Sequence, residues 1–332
     1  MVVTSQRTVL GLLGPTASGK TNLAIELAKH YDLALISVDS AMVYRSMNIG
    51  TAKPKPEILQ KYPHALVDVV EPETSFTVSE FIQLADEAVR NSFVKNKTPL
   101  LVGGTMMYFK AFREGISPLP PRDPEFRKQL QERAQTQGVP ALHRELQSID
   151  PEACRKIHPN NYPRIERALE IYSQTSTPMS QFLKENAGIP AVRRLKCEYV
   201  EFALTHQRRE ELHERVKKRL EDMLVEGFAE EVKQLRKRQG LSASSSSMRT
   251  VGYRQLWEHF DKSPESTITE SIKERILVAN RGLIRRQMTW LRNWASLPNY
   301  NQINQPPTLN SMENLFESAC VQPVARTESM SK

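Results

Sequence analysis

Three cysteines in 332 residues are too few and too scattered to organise a fold. Cys154, Cys197 and Cys320 are odd in number, lie far apart and form no C-x-x-C pair, which excludes a disulfide framework and argues against a cysteine zinc site. A reducing cytoplasm is the setting they suggest. Long apolar runs are missing as well: no stretch approaches the ~20 residues needed to cross a bilayer, and the start of the chain lacks the apolar core of a signal peptide. Several nucleotide-enzyme signatures are absent. Asn96-Lys97-Thr98-Pro99 fails the N-K-x-D base-reading pattern of GTPases at its acid, protein-kinase motifs are not found, and Leu100-Leu101-Val102 runs into Gly103-Gly104-Thr105 where an ATP-driven motor wants an acid. Acidic residues are outnumbered, 38 Asp and Glu against 46 Lys and Arg, and the net charge of +8 suits a polyanionic partner as readily as a merely basic enzyme.

What is present begins at Gly14-Pro15-Thr16-Ala17-Ser18-Gly19-Lys20-Thr21, which fits the phosphate-loop pattern G-x-x-x-x-G-K-[ST] at every fixed position. An apolar run of strand length, residues 8–13, precedes it, and an amphipathic helix over 22–28 follows. Glycines let consecutive backbone N–H groups close on phosphate oxygens, and the positive end of the helix adds to the field there. Lys20 supplies a mobile charge; Thr21 can offer its hydroxyl to Mg²⁺ or directly to a phosphate oxygen. The loop predicts phosphate binding but not a reaction.

Further along, strands are expected at 33–40, 65–70 and 99–105, with a helix over 80–93, so the core reads as an α/β fold with a mostly parallel sheet. Asp39 falls at a strand's carboxyl end, where open α/β sheets bind ligands. From 118 to 192 only short helical patterns occur, predicting an all-helical insert; the sheet resumes at 197–204, so 1–117 and 193–297 form one core. A single long helix is expected from Arg208 to Arg238, with Arg215 and Arg219 one turn apart and able to reach one ligand. Between Glu274 and Trp294 a basic face suits either a nucleic-acid backbone or solvent over a tryptophan-anchored core. The polar stretch 298–332 is expected to be largely disordered.

The phosphate loop, Asp39-Ser40-Ala41-Met42-Val43-Tyr44-Arg45, Ile49-Gly50-Thr51-Ala52-Lys53-Pro54, Val102-Gly103-Gly104-Thr105-Met106-Met107-Tyr108 and the run from Arg285-Arg286-Gln287 to Trp290 together resemble the bacterial tRNA dimethylallyltransferase family, over roughly residues 7 to 296. The resemblance implies a P-loop-type core with a helical insert that grips the anticodon stem-loop of tRNA. It implies transfer of a dimethylallyl group from dimethylallyl diphosphate to N6 of adenosine 37 in tRNAs reading codons that begin with U, with Mg²⁺ assisting, by a cytoplasmic monomer. Arg219 joins Lys20 and Thr21 on the diphosphate by the same resemblance. So do the tRNA contacts: Asp39, Ser40, Ala41, Met42, Thr105, Arg127, the segment Pro163-Arg164-Ile165-Glu166-Arg167, the segment Arg249-Thr250-Val251-Gly252-Tyr253-Arg254, and Asn280-Arg281-Gly282-Leu283-Ile284-Arg285-Arg286-Gln287. Many members carry Gln where this chain has Met42, which removes an amide that could read the base.

The chemistry fits those parts. Adenine N6 is a poor nucleophile because its lone pair is delocalised, so a positioned base helps, and Asp39 is the candidate. The departing diphosphate needs aimed donors for its growing charge, and the target base must leave its stack. Three rivals use the same loop: an enzyme prenylating free adenine nucleotides, an ATP-dependent small-molecule kinase in which Asp39 activates a hydroxyl, and an RNA-binding protein with a vestigial loop. The helical insert argues against the first, and intact Lys20, Thr21 and Asp39 against the last.

Overall fold

The computed structural model describes residues 7–205, 208–264, 266–304 and 309–318. Six strands form one sheet: β1 Thr8–Leu13, β2 Leu33–Val38, β3 His64–Ala65, β4 Thr98–Gly103, β5 Glu198–Leu204 and β6 Tyr300–Ile303. Their order is β3-β2-β4-β1-β5-β6, and every pairing is parallel. Parallel neighbours cannot be joined by hairpins, so each crossover carries the chain over a face and both faces become covered. That is why all six residues of β1 are buried, with apolar side chains at Val9, Leu10, Leu12 and Leu13. Helix Val78–Val94 and helix Met106–Glu114 pack on one face around Phe81, Phe109 and Phe112; helix Lys20–Leu27 packs on the other around Leu10, Leu12 and Leu27. Because the strands run one way, the loops after β1, β2 and β4 all emerge at one edge. β4 lies between β1 and β2, so the chain leaves β1 and returns beyond a strand not yet made, the arrangement that opens a crevice at the carboxyl edge.

The chain divides into two compact units, 114–189 and the remainder, against an expected insert of 118–192. Within the smaller unit helices Pro124–Gln137, Val139–Ile149, Pro151–Lys156, Tyr162–Thr175 and Met179–Glu185 enclose Leu130, Leu142, Leu146, Ile165 and Leu169. Asp123 and Asp150 cap two of them by accepting first-turn amides.

Three local expectations give way. The third strand stops at Ala65: Leu66 and Asp68 take positive φ, and the following residues bond to 42–43 because Lys53 holds the Asp68 carboxylate at 2.5 Å. The long helix ends at Val225 and restarts at Phe228, turned by Gly227 at φ +101°. In the 298–332 stretch, the described part is ordered as β6 and helix Leu309–Ser318. Phe316 is fully buried against Tyr31 and Phe202, with ring centroids 5.2 and 5.6 Å away, so a few apolar residues suffice to dock a mainly polar segment. Residues 305–308 and 319–332 lie outside the described residues, and Cys320 with them.

Candidate active site

The phosphate loop follows β1 directly. Ala17 and Gly19 both take left-handed backbone, φ +65° and +83°, on either side of Ser18, whose amide bonds back to Pro15 O at 3.2 Å. Alternating conformations of this kind aim successive N–H groups into one concavity. The loop is tied to β4 by Gly14 N on Gly103 O at 3.3 Å. It is tied again by Gln287, buried on helix Glu270–Asn293: its Oε1 accepts the Thr16 amide at 2.9 Å while its Nε2 donates to Gly104 O at 2.9 Å. A Cβ on Gly104 would sit 2.7 Å from Gln287 Nε2 and 3.2 Å from Gly14 O, so a side chain there would displace the Gln287 amide from its bonds to the loop.

Lys20 bends over its own loop to Pro15 O at 3.2 Å. Burial pushes its ammonium down to about 8; Asp39 opposes the shift and Arg219 adds to it. Arg219, also lowered by burial and supported by Asp39, donates to Thr51 O at 3.2 Å. Three charged groups from three separate segments thus share one field. Arg215 does not join them: of the expected arginine pair only Arg219 lines the cleft.

Asp39 is held by backbone. Its Oδ1 accepts the amides of Ala41 at 2.8 Å and Met42 at 3.2 Å, a turn that orients the carboxylate and leaves Oδ2 outside it. Met42 therefore serves through its N–H, which any side chain at that position would supply. Thr105 Oγ1, at the end of β4, accepts the Ser40 amide at 3.1 Å and locks the two strand ends together. The cleft so formed has a volume of about 380 Å³, and its lining includes the polar Thr16, Asp39, Thr105, Arg219 and Gln287 and the apolar Met106, Met107, Leu283 and Trp290.

Sequence reasoning did not single out Glu231. Its two oxygens accept the amides of Asn48, Ile49 and Gly50 at 2.8, 2.8 and 3.2 Å, and Tyr253 donates its hydroxyl to it at 2.5 Å, fixing the loop that carries Thr51 under Arg219. Nothing in local sequence marks a glutamate for so distant a partner.

The residues expected at an RNA surface divide sharply. Arg164, Arg249, Arg254, Arg281, Arg285 and Arg286 are exposed. Ile165, Tyr253 and Ile284 are wholly buried, so their side chains shape the surface from beneath rather than touch a partner. Gln287 is the staple described above. Arg127 is engaged within the helical unit: its guanidinium donates to Glu170 at 2.6 and 2.7 Å and pairs with Glu166 at 3.0 Å, while Arg167 donates to the same Glu170 at 2.5 Å and to Pro120 O at 2.7 Å. Asn280 donates to Ile276 O at 3.0 Å and, with Thr250, Val251 and Leu283, lines the cleft.

Comparison with known proteins identifies the family. The family described as IPP transferase matches residues 42–294, and one described as Isopentenyl transferase matches residues 7–68. The chain is 31% identical to the tRNA isopentenylpyrophosphate transferase of Bacillus halodurans, over 95% of this chain and 96% of that one, with a TM-score of 0.64. It is 28% identical to the tRNA delta(2)-isopentenylpyrophosphate transferase of Staphylococcus epidermidis, over 95% and 99%, with a TM-score of 0.61. A eukaryotic dimethylallyltransferase solved while acting on tRNA shares the fold at 20% identity, over 96% and 81%, with a TM-score of 0.75. Matched along most of its length and carrying the phosphate loop, strand-end acid and arginine in one cleft, the chain belongs to the IPP transferase family.

Proposed function

We propose that this protein, a tRNA prenyltransferase by family, moves a dimethylallyl group from dimethylallyl diphosphate to N6 of adenosine 37, beside the anticodon of tRNAs reading codons that begin with U. The observation that carries the reading is the electrostatic coupling of Lys20 to both Asp39 and Arg219, with Asp39, Arg219 and Thr16 of the phosphate loop lining one cleft: a diphosphate cradle and a carboxylate base within one field. The C1–O bond of the donor breaks with its electron pair going to the diphosphate, the N6 lone pair forms the new N–C1 bond, and Asp39 Oδ2 takes the N6 proton. Loop amides, Lys20 and Arg219 stabilise the charge that grows on the leaving group. An ammonium that burial brings down to about 8 is still mostly charged at neutrality, and a diphosphate is a group that would relieve its desolvation.

Magnesium suits the donors available. The hard oxygen donors that would hold it are the Thr21 hydroxyl, next to Lys20 at the end of the phosphate loop, and the Asp39 carboxylate, and among the described residues no cluster of three His, Cys, Asp or Glu offers a dedicated cage. So sparse a set fits a hard cation that keeps its waters and binds chiefly through substrate phosphate oxygens. When bound there it would neutralise part of the diphosphate's charge.

The adenine must leave its stack to reach Asp39, and the exposed arginines supply phosphate contacts that position the RNA without reading its sequence. The reading includes a monomer acting in the cytoplasm; among the described residues no helix is long and apolar enough to cross a membrane. The test is to incubate the protein with Mg²⁺, dimethylallyl diphosphate and an unmodified anticodon stem-loop, with AMP and ATP in parallel, and weigh the products. One dimethylallyl gained by the RNA alone supports the reading; transfer to AMP moves the protein to nucleotide prenylation, and no transfer to either overturns it.

A further inference from the structure

A prenyl donor has two ends, and the cradle accounts for only one of them. The five-carbon end needs an apolar wall close to the diphosphate and to Asp39. Among the described residues lining the cleft, Trp290 is the only aromatic one. It lies three positions beyond Gln287 on helix Glu270–Asn293, hence on the same helical face, while Gln287 itself is bonded to the phosphate loop and to Gly104. The indole therefore stands about one turn along from the cradle, beside Met106, Met107 and Leu283.

The ring is also held in place. Trp290 meets Trp294 edge to face, centroids 5.2 Å apart at 71°, and Trp294 is buried with the Arg113 guanidinium 4.4 Å over it. Arg113 is in turn fixed by the buried Glu201 of β5 at 2.7 Å. A ring packed against this chain of contacts yields less readily to a longer substrate than an unbranched methionine does.

Resting on the prenyl-transfer reading above, we infer that Trp290 is the specificity-determining wall of the prenyl pocket and restricts the donor to five carbons. Much of the remaining lining is polar or charged, Thr16, Asp39, Thr105, Arg219, Arg249 and Arg286 among it, which suits a longer apolar chain poorly. Trimming the indole opens room for one more isoprene unit.

The experiment compares kcat/KM for dimethylallyl and geranyl diphosphate with the same tRNA, for the unaltered protein and for Trp290→Ala and Trp290→Phe. Pocket contacts of this size are worth about tenfold or more in discrimination. Trp290→Ala should raise the geranyl-to-dimethylallyl ratio by about that factor and Trp290→Phe by less, a shift in ratio that general loss of stability does not produce. An unchanged ratio in Trp290→Ala overturns the inference; if that variant does not fold, an unchanged ratio in Trp290→Phe does so. Should the unaltered protein prenylate no tRNA with either donor, the functional reading itself fails and this inference with it; transfer of both donors at equal efficiency overturns the inference alone.

Discussion

Gln287 holds the phosphate loop in place from a position 271 residues away, its side-chain oxygen accepting the Thr16 amide at 2.9 Å while its nitrogen reaches Gly104 O. Removing that amide leaves a backbone donor and a backbone acceptor unsatisfied in a buried setting, at roughly 1–3 kcal/mol each. Gln287→Ala should therefore lower kcat/KM for the prenyl diphosphate about tenfold or more, with tRNA affinity within about threefold. Filter binding beside donor-saturation kinetics separates the two; a variant that loses RNA affinity instead would return Gln287 to the RNA surface.

Asp39→Asn tests the base without disturbing the turn. Asparagine keeps an oxygen for the Ala41 and Met42 amides but cannot accept the N6 proton. Turnover should drop by about 10²-fold or more while RNA binding stays within a few fold. Near-normal turnover in this variant would remove Asp39 from the proton-transfer step.

The lysine gives a pH signature. Its folded value of about 8 lies below the ordinary 10.5, so between those values the unfolded chain binds a proton that the folded one does not. Stability of the ligand-free protein should consequently rise as pH climbs through that interval, the burial penalty being present in full below it. Diphosphate binding restores the ammonium and should take up protons near and above pH 8, visible by calorimetry in two buffers of different ionisation heat. Lys20→Met should abolish both the slope and the uptake.

Two arginines of the insert should behave oppositely. Exposed Arg164, mutated to Ala, should flatten the salt dependence of tRNA binding by about one log–log unit per lost phosphate contact, with little effect on melting. Arg127→Ala should instead leave the slope alone and lower stability by about 1–3 kcal/mol, because the buried Glu170 loses its two-pronged partner and keeps only Arg167 and the Asp123 amide. Burial alone would push the Glu170 carboxyl up, yet Arg127, the Asp123 amide and Arg167 together hold it down at about 2. That contribution is present above the usual carboxyl range and fades as pH falls toward about 2.

The described tail helix is part of the core. Phe316→Ala empties a site between Tyr31 and Phe202 and should destabilise the protein by about 3–5 kcal/mol in denaturant titration. A change under about 1 kcal/mol would mean that the helix docks only loosely.

By itself the sequence determined what depends on neighbours in the chain. A glycine-rich loop between a buried strand and a helix works within eight residues, so Gly14 to Thr21 could be read directly, and β1 runs over the residues expected for it. Asp39 at the end of β2 was legible for the same reason, since strand period and strand end are local properties. Tertiary structure alone decided what depends on partners brought from far away. A run such as 65–70 is apolar enough for a strand, but Lys53 on Asp68 pulls it off the sheet; a polar tail looks unable to pack until three buried residues, Ile303, Met312 and Phe316, meet the open face of the sheet. Likewise Gln287, Glu231 and Arg127 look in sequence like ordinary polar residues of helices. Each satisfies backbone amides or buried charges dozens to hundreds of residues away, and a hydrogen bond across the fold leaves no periodic trace in the chain.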